Sequence, residues 1–144
     1  MKNKICRSKI YVAGSCKNNV TIRQLMRDIE NLGHEISLDW TVRRGDIDAK
    51  KDAQEDIKRL QECDCLIYCM DGIKSRGKYF ELGYAAALNK PIGIYFLYAV
   101  DPSGAMSGLN AIVEDESVFI KSKMYPIMYT LGELNVWLSK IKSS

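Results

Sequence analysis

The chain has 144 residues, 47% hydrophobic and 27% charged, with a formal net charge of +3. That suits one globular domain, residues 1–144, and excludes a strongly basic nucleic-acid surface. The longest apolar run, Pro91 to Val100, is too short to cross a bilayer and no leader-like start is visible, so a cytoplasmic protein without membrane or nucleic-acid partners is expected.

In chain order, Lys9 to Gly14 is a short apolar run ending in glycine, as a buried first strand would be. Asn18 or Asn19 caps a helix whose Ile22, Leu25, Met26, Ile29 and Leu32 share one face, and the Leu-Gly-His at 32–34 ends it. Glu35 to Trp40 alternates as a second strand, and 42–49 is a polar loop. A second helix from about Lys50 to Glu62 turns Ala53, Ile57 and Leu60 inward. Asp64 to Met70 is a near-continuous apolar third strand, followed by a loop at Asp71 to Gly77. Lys78 to Lys90 forms a third helix stopped by Pro91, and Pro91 to Tyr98 is a fourth strand. Residues 100–116 read as irregular, Ser117 to Ile120 as a last strand, and Leu131 to Ile141 as a closing helix.

Strands alternating with helices imply a parallel sheet covered on both faces. Such sheets bind ligands beyond the carboxyl ends of the strands, where chain order reverses. Three loops are nominated: Gly14 to Lys17, the one after Trp40, and Asp71 to Gly77. Five cysteines without a C-x-x-C, and His34 as the sole histidine, argue against a disulfide framework and a metal site. Cys65 and Cys69 read as small core residues.

Glu81 stands out because it sits among Phe80, Leu82, Tyr84 and Ala85. Around the first turn of the third helix, the helix dipole would hold it ionised, ready as nucleophile or base. An ordinary first-turn acid paired with Lys78 fits the same residues. Asp56 lies at the edge of the inward stripe of its helix and either reaches the crevice or pairs with a base such as Arg59. Tyr11 in the first strand needs a polar partner for its hydroxyl, and taken alone it reads as a core tyrosine. Gly14, Ser15 and Lys17 in one loop, and Ser75 and Gly77 in another, offer amides, hydroxyls and a cation to an anion, although neither loop is a complete nucleotide motif. Trp40 is placed either to stack on a base or to pack.

Taken together, "IYVAGS", Asp56 with Asp64 eight residues on, and "SRGKYFELGYAAALNKPIGIY" resemble the nucleoside 2-deoxyribosyltransferase family over about Lys9 to Tyr95. The resemblance implies a flavodoxin-like (Rossmann-like) doubly wound α/β sheet of about five strands. It implies Glu81 as the nucleophile on the anomeric carbon, Tyr11 as its hydrogen-bonding orienter, and Asp56 as the acid at the base. The family usually has an aspartate six positions before the nucleophile and A-G-P after the first strand; this chain has Ser75 and A-G-S. Both departures resemble the 2'-deoxynucleoside 5'-monophosphate N-hydrolase branch, which implies a phosphate held by Gly14, Ser15, Lys17, Ser75 and Gly77. The family typically completes each site with a polar residue from a neighbouring subunit, which makes Asn110 and Ser107 candidates and a homo-oligomer the expectation. No metal or organic cofactor is implied, and the partner is a small nucleoside or nucleotide. Two rival readings remain: an NAD-consuming glycohydrolase, and a nucleotide-binding sensor without turnover.

Overall fold

A computed structural model of the chain describes residues 7–43, 48–73, 75–97 and 124–141. Five strands are present among them: β1 (Lys9–Ala13), β2 (Glu35–Ile36), β3 (Cys65–Met70), β4 (Ile92–Phe96) and β5 (Ile127–Met128). Four α-helices accompany them: α1 (Asn19–Asn31), α2 (Ala49–Glu62), α3 (Arg76–Ala87) and α4 (Leu131–Ser139). The strands form one parallel sheet in the order β2-β1-β3-β4-β5. From β1 the chain steps outward to β2, then returns to the other side of β1 as β3. This is the flavodoxin-like order, and the reversal opens a crevice beyond the carboxyl ends of β1 and β3.

Alternation along each strand divides the core between the two faces. Ile10 and Val12 of β1, with Cys65, Ile67 and Cys69 of β3, pack under Ile22, Leu25, Met26 and Ile29 of α1 and Leu134 and Leu138 of α4. Tyr11, Ala13, Leu66, Tyr68 and Met70 face the other way, against Leu60 of α2 and Leu82 and Ala85 of α3. Because β3 and β4 are covered on both faces, every residue in them is buried, hence their unbroken apolar runs. Gly93 permits the close approach of α4: a Cβ there would lie 2.5 Å from Met128 Cε and 3.1 Å from the Trp137 ring. The two cysteines expected in the core are buried free thiols.

Turn chemistry marks the helix ends. Gly33 at φ 98° follows α1, and Asn89 at φ 56° follows α3 just before Pro91, each in the left-handed conformation that closes a helix. At the amino edge of the sheet, Asp64 Oδ2 accepts from the Lys9 amide at 2.7 Å, and Lys90 Nζ donates to the Gln61 and Cys63 carbonyls at 2.9 and 2.7 Å. Asp64 therefore staples β1 to the turn before β3, away from the crevice.

Several boundaries depart from expectation for local reasons. The second strand is only two residues long, because Asp39 caps a 3-10 turn at Trp40–Val42 and takes the chain off the sheet. Helix α3 begins at Arg76, two residues early, because Ser75 Oγ accepts from the Lys78 amide. The amino-terminal half of α2 overhangs the crevice instead of the sheet, so Leu60 is buried, Ile57 half-buried and Ala53 exposed. The strand Ile127–Met128 was not anticipated, and the one expected at Ser117 to Ile120 lies outside the described residues. Among the described residues no helix is long and apolar enough to cross a membrane.

Candidate active site

The crevice holds a cavity of about 520 Å³ whose wall includes Gly14, Trp40, Asp56, Ser75, Gly77 and Glu81. Gly14, Ser75 and Gly77 come from two of the loops expected at this edge, Trp40 borders the third, and Asp56 and Glu81 reach it from α2 and α3. Gly14 lets Ile22 pack close: a Cβ there would lie 2.2 Å from Ile22 Cδ1, so that side chain would have to shift, and 3.5 Å from Trp40 Cζ2. Trp40 anchors by donating its indole N–H to the Val12 carbonyl at 2.8 Å, which leaves one part of its ring in the core and another on the cavity wall. Gly77 differs from Gly14: a Cβ would meet nothing closer than Ser75 Oγ at 3.9 Å and would narrow the cavity.

Glu81 lies in the second turn of α3, not around the first as its sequence position suggested, because Ser75 caps the helix further upstream. There the dipole acts weakly and desolvation dominates. Burial, then the charge of Asp56, pushes the Glu81 pKa up to about 8, opposed by the Tyr11 hydroxyl and by Arg43. The expectation of a carboxylate held ionised by the helix end is thus reversed for the free protein. Lys78 does not pair with it. The Lys78 ammonium is buried under α3, donating to the Cys69 and Ile73 carbonyls at 3.1 and 3.0 Å and to Asp71 Oδ1 at 3.4 Å.

Tyr11 sits behind Glu81 in β1, fully buried. Its hydroxyl is close enough to favour the ionised glutamate, yet no hydrogen bond of standard geometry joins them. Among the described residues, Tyr11 Oη and Glu81 Oε2 are buried polar atoms without a standard partner. Burial and the Glu81 charge push the tyrosine pKa far up, so the phenol stays protonated and can only donate to an anion.

Asp56 takes its cation not from Arg59 but from Arg43, at 2.8 Å. Burial raises its pKa, while the hydrogen bond and charge of Arg43 pull it down and Asp52 and Glu55 push it back up. Arg59 instead reaches Glu62 at 3.5 Å. Arg43 lines the cavity, as do Asp52 and Lys78; the sequence offered Lys78 only as a pair for Glu81 and did not single out the other two.

The remaining expected residues are less central. Ser15 is buried and its hydroxyl accepts from the Lys17 amide at 3.2 Å, shaping the Cys16–Asn18 turn. Lys17 is exposed and outside the cavity wall, whereas its neighbours Cys16 and Asn19 are part of it. Asn110 and Ser107 lie outside the described residues. Among the described residues no cluster of three or more His, Cys, Asp or Glu side chains could hold a metal ion.

Solved structures with this fold include a Clostridium botulinum CMP N-glycosidase, BcmB, with a TM-score of 0.58 at 18% identity, covering 90% of this chain and 97% of that one. A 2-desoxiribosyltransferase from Leishmania mexicana superposes with a TM-score of 0.53 at 16% identity, covering 92% of this chain and 97% of its own. No curated protein matches by sequence. The family profile described as nucleoside 2-deoxyribosyltransferase matches residues 10–120, which span β1 to β4 and the whole described cavity wall. The chain therefore belongs to the nucleoside 2-deoxyribosyltransferase family, enzymes that cleave the N-glycosidic bond of nucleosides or nucleotides or transfer its sugar.

Proposed function

We propose that this protein cleaves the N-glycosidic bond of a (deoxy)nucleoside 5'-monophosphate through a covalent glycosyl–Glu81 intermediate. One observation carries the reading: a buried, unpartnered Glu81 oxygen on the wall of a cavity that also presents Asp56, with the Tyr11 phenol behind it. A buried carboxylate oxygen without a partner costs free energy that packing does not return, which is reasonable where a substrate supplies the missing interaction.

Glu81 attacks the anomeric carbon as the bond to the base breaks, and the electron pair of that bond leaves with the base. Asp56 gives the base its proton. Water then attacks the glycosyl ester, giving its proton to Asp56 and its oxygen to the sugar, and the ester electron pair returns to Glu81. An acceptor base in place of water would give transfer. In the free protein burial raises the pKa of both carboxyls, and the Arg43 guanidinium, paired with Asp56, opposes that rise most directly at Asp56. The reaction starts from the arrangement with the proton on Asp56. A sugar developing positive charge against Glu81 favours that arrangement, and the Tyr11 hydroxyl donates to the anion so formed.

The phosphate preference is supported by Ser75 and Gly77, which occupy the cavity wall at the amino end of α3, and by Ser75 standing where the transferases usually carry an acid. Lys17, outside that wall, would act only from the rim. The active protein is proposed to be a homo-oligomer in which a neighbouring subunit completes each site, and residues 1–144 to be a single domain.

The test is product analysis with deoxynucleosides, their 5'-monophosphates and NAD, each with and without an acceptor base. Release of base from monophosphates alone is the expected result. Exchange between unphosphorylated nucleosides would overturn the phosphate assignment, and nicotinamide release would favour an NAD glycohydrolase. Ligand-induced thermal stabilisation without product, unchanged in Glu81→Gln, would mark a sensor.

A further inference from the structure

Arg43 follows a turn that is pinned on several sides. Arg23 donates to Thr41 Oγ1 at 3.0 Å and to the Thr41 carbonyl at 2.7 Å, Asp39 accepts from the Thr41 amide at 3.1 Å, and Trp40 is tied to β1. From this anchored position the guanidinium reaches across the cavity to three carboxylates of α2: Asp56 at 2.8 Å, Glu55 at 3.1 Å and Asp52 at 3.5 Å. Positions 52, 55 and 56 are neighbours on one helix face, so three acids converge where, among the described residues, one cation meets them. The planar guanidinium fork suits this task, whereas a single ammonium could not span it.

Resting on the glycosidase reading above, we infer that Arg43 is a positioning residue: it holds the Asp56 carboxyl toward the cavity and sets how readily Asp56 takes the proton the departing base needs. Among the described residues the groups facing Asp56 are Arg43 from the turn, Asp52 and Glu55 on its own helix, Glu81 from α3 and Tyr11 from β1. Of these only Arg43 is cationic. Its removal leaves Asp56 among like charges and half-buried, where a carboxyl binds protons more tightly. A guanidinium serving merely as a brace for α2 would affect stability and leave Asp56 titration in place.

The experiment is a carbon-13 titration of the labelled Asp and Glu carboxyls in the substrate-free wild type, Arg43→Gln and Arg43→Lys, beside pH profiles of kcat and KM. In Arg43→Gln the Asp56 midpoint should rise by about one to three pH units, and the acidic limb of kcat/KM should move with it. Arg43→Lys should restore most of the midpoint while kcat stays depressed about tenfold and KM is nearly unchanged, because the charge returns without the fork. An Asp56 midpoint that is unmoved in Arg43→Gln overturns the assignment, whatever the melting temperature does. Should Arg43→Gln not fold, Arg43→Lys decides: wild-type kcat there overturns the positioning role. The carboxyl titration needs no turnover, so absence of base release from the wild type would sink the glycosidase reading while leaving the Arg43 electrostatics separately judged.

Discussion

Two corners of the same crevice treat a buried carboxyl in opposite ways. At the exit of β3, Asp71 accepts from Asn18 Nδ2 at 3.0 Å, from the Ile73 amide at 3.0 Å and from Lys78 Nζ at 3.4 Å. Lys78 is saturated in turn by two carbonyls, with the Tyr68 ring 4.9 Å away. One α-helical turn along α3, Glu81 keeps an oxygen with no standard partner among the described residues, beside a tyrosine hydroxyl in the same condition. Asp71 and Lys78 tie the exit of β3 and the first turn of α3 to each other, and Asp71 ties them to the first loop through Asn18. The lesson is that a satisfied carboxyl builds the site, and an unsatisfied one is available to a substrate.

The contrast is sharpest in Glu81→Gln, for which we expect the largest effect. Turnover should fall by at least about 10³-fold in product-release assays, while the fold persists. Stability should respond to pH as well. In the folded protein the Glu81 pKa is raised from its ordinary 4.5 to about 8, so the native state binds more protons than the unfolded state between those limits. Unfolding free energy should therefore decline as pH rises from about 5 to 8 and level off above, by up to a few kcal/mol. Denaturant titrations across that range should show this decline in the wild type and lose most of it in Glu81→Gln. Equal slopes in both proteins would mean that Glu81 is already solvated, and the contrast with Asp71 would collapse.

The opposite corner should break differently. Lys78→Met leaves Asp71 buried without its cation and should cost about 3–5 kcal/mol in chemical denaturation. Adding Asp71→Asn removes the stranded charge and should return part of that loss, giving a coupling energy in the double-mutant cycle. An additive cycle would show that the two residues are neighbours without being partners. Residual activity per folded molecule should exceed that of Glu81→Gln in both variants, because in the proposed mechanism neither side chain touches the reacting atoms.

Much of this architecture is legible in the residues. Unbroken apolar runs announce β3 and β4, the spacing of Ile22, Leu25, Met26 and Ile29 announces α1, and the alternation of strand and helix places a crevice at their carboxyl edge. That placement, together with the family resemblance that gave Asp56 and Glu81 their roles, named Gly14, Trp40, Asp56, Ser75, Gly77 and Glu81, which do meet at one cavity. Arg43 escaped because its partners lie 9 to 13 residues along the chain, where no local periodicity links an arginine to a helix face. Lys78 was offered as the pair of a first-turn Glu81, and only the three-dimensional return of its side chain to the Cys69 and Ile73 carbonyls and Asp71 shows its real partners. Ala53 and Ile57 had the right phase but the wrong neighbour, since the crevice interrupts the sheet they were expected to cover. Trp40 was read as ending a strand because the cap supplied by Asp39 competes with sheet pairing only once the chain has left β2.

The smallest effect tests how Glu81 is held. If the Tyr11 hydroxyl is kept short of a full hydrogen bond in the free protein, its removal deletes a group that already bears its desolvation cost, so Tyr11→Phe should change unfolding free energy by under about 1 kcal/mol. In the proposed mechanism its effect belongs in the reacting state, where the phenol would donate to the ionised carboxylate. We expect kcat to drop about tenfold with KM little changed, and the Glu81 titration to move further up, because the hydroxyl favours the charged form. A loss of stability above about 2 kcal/mol with normal turnover would place Tyr11 with Asp71 and Lys78 among the groups that build the wall. The two corners would then differ by a single side chain, Glu81, and the orientation of its carboxylate would have to come from α3 alone.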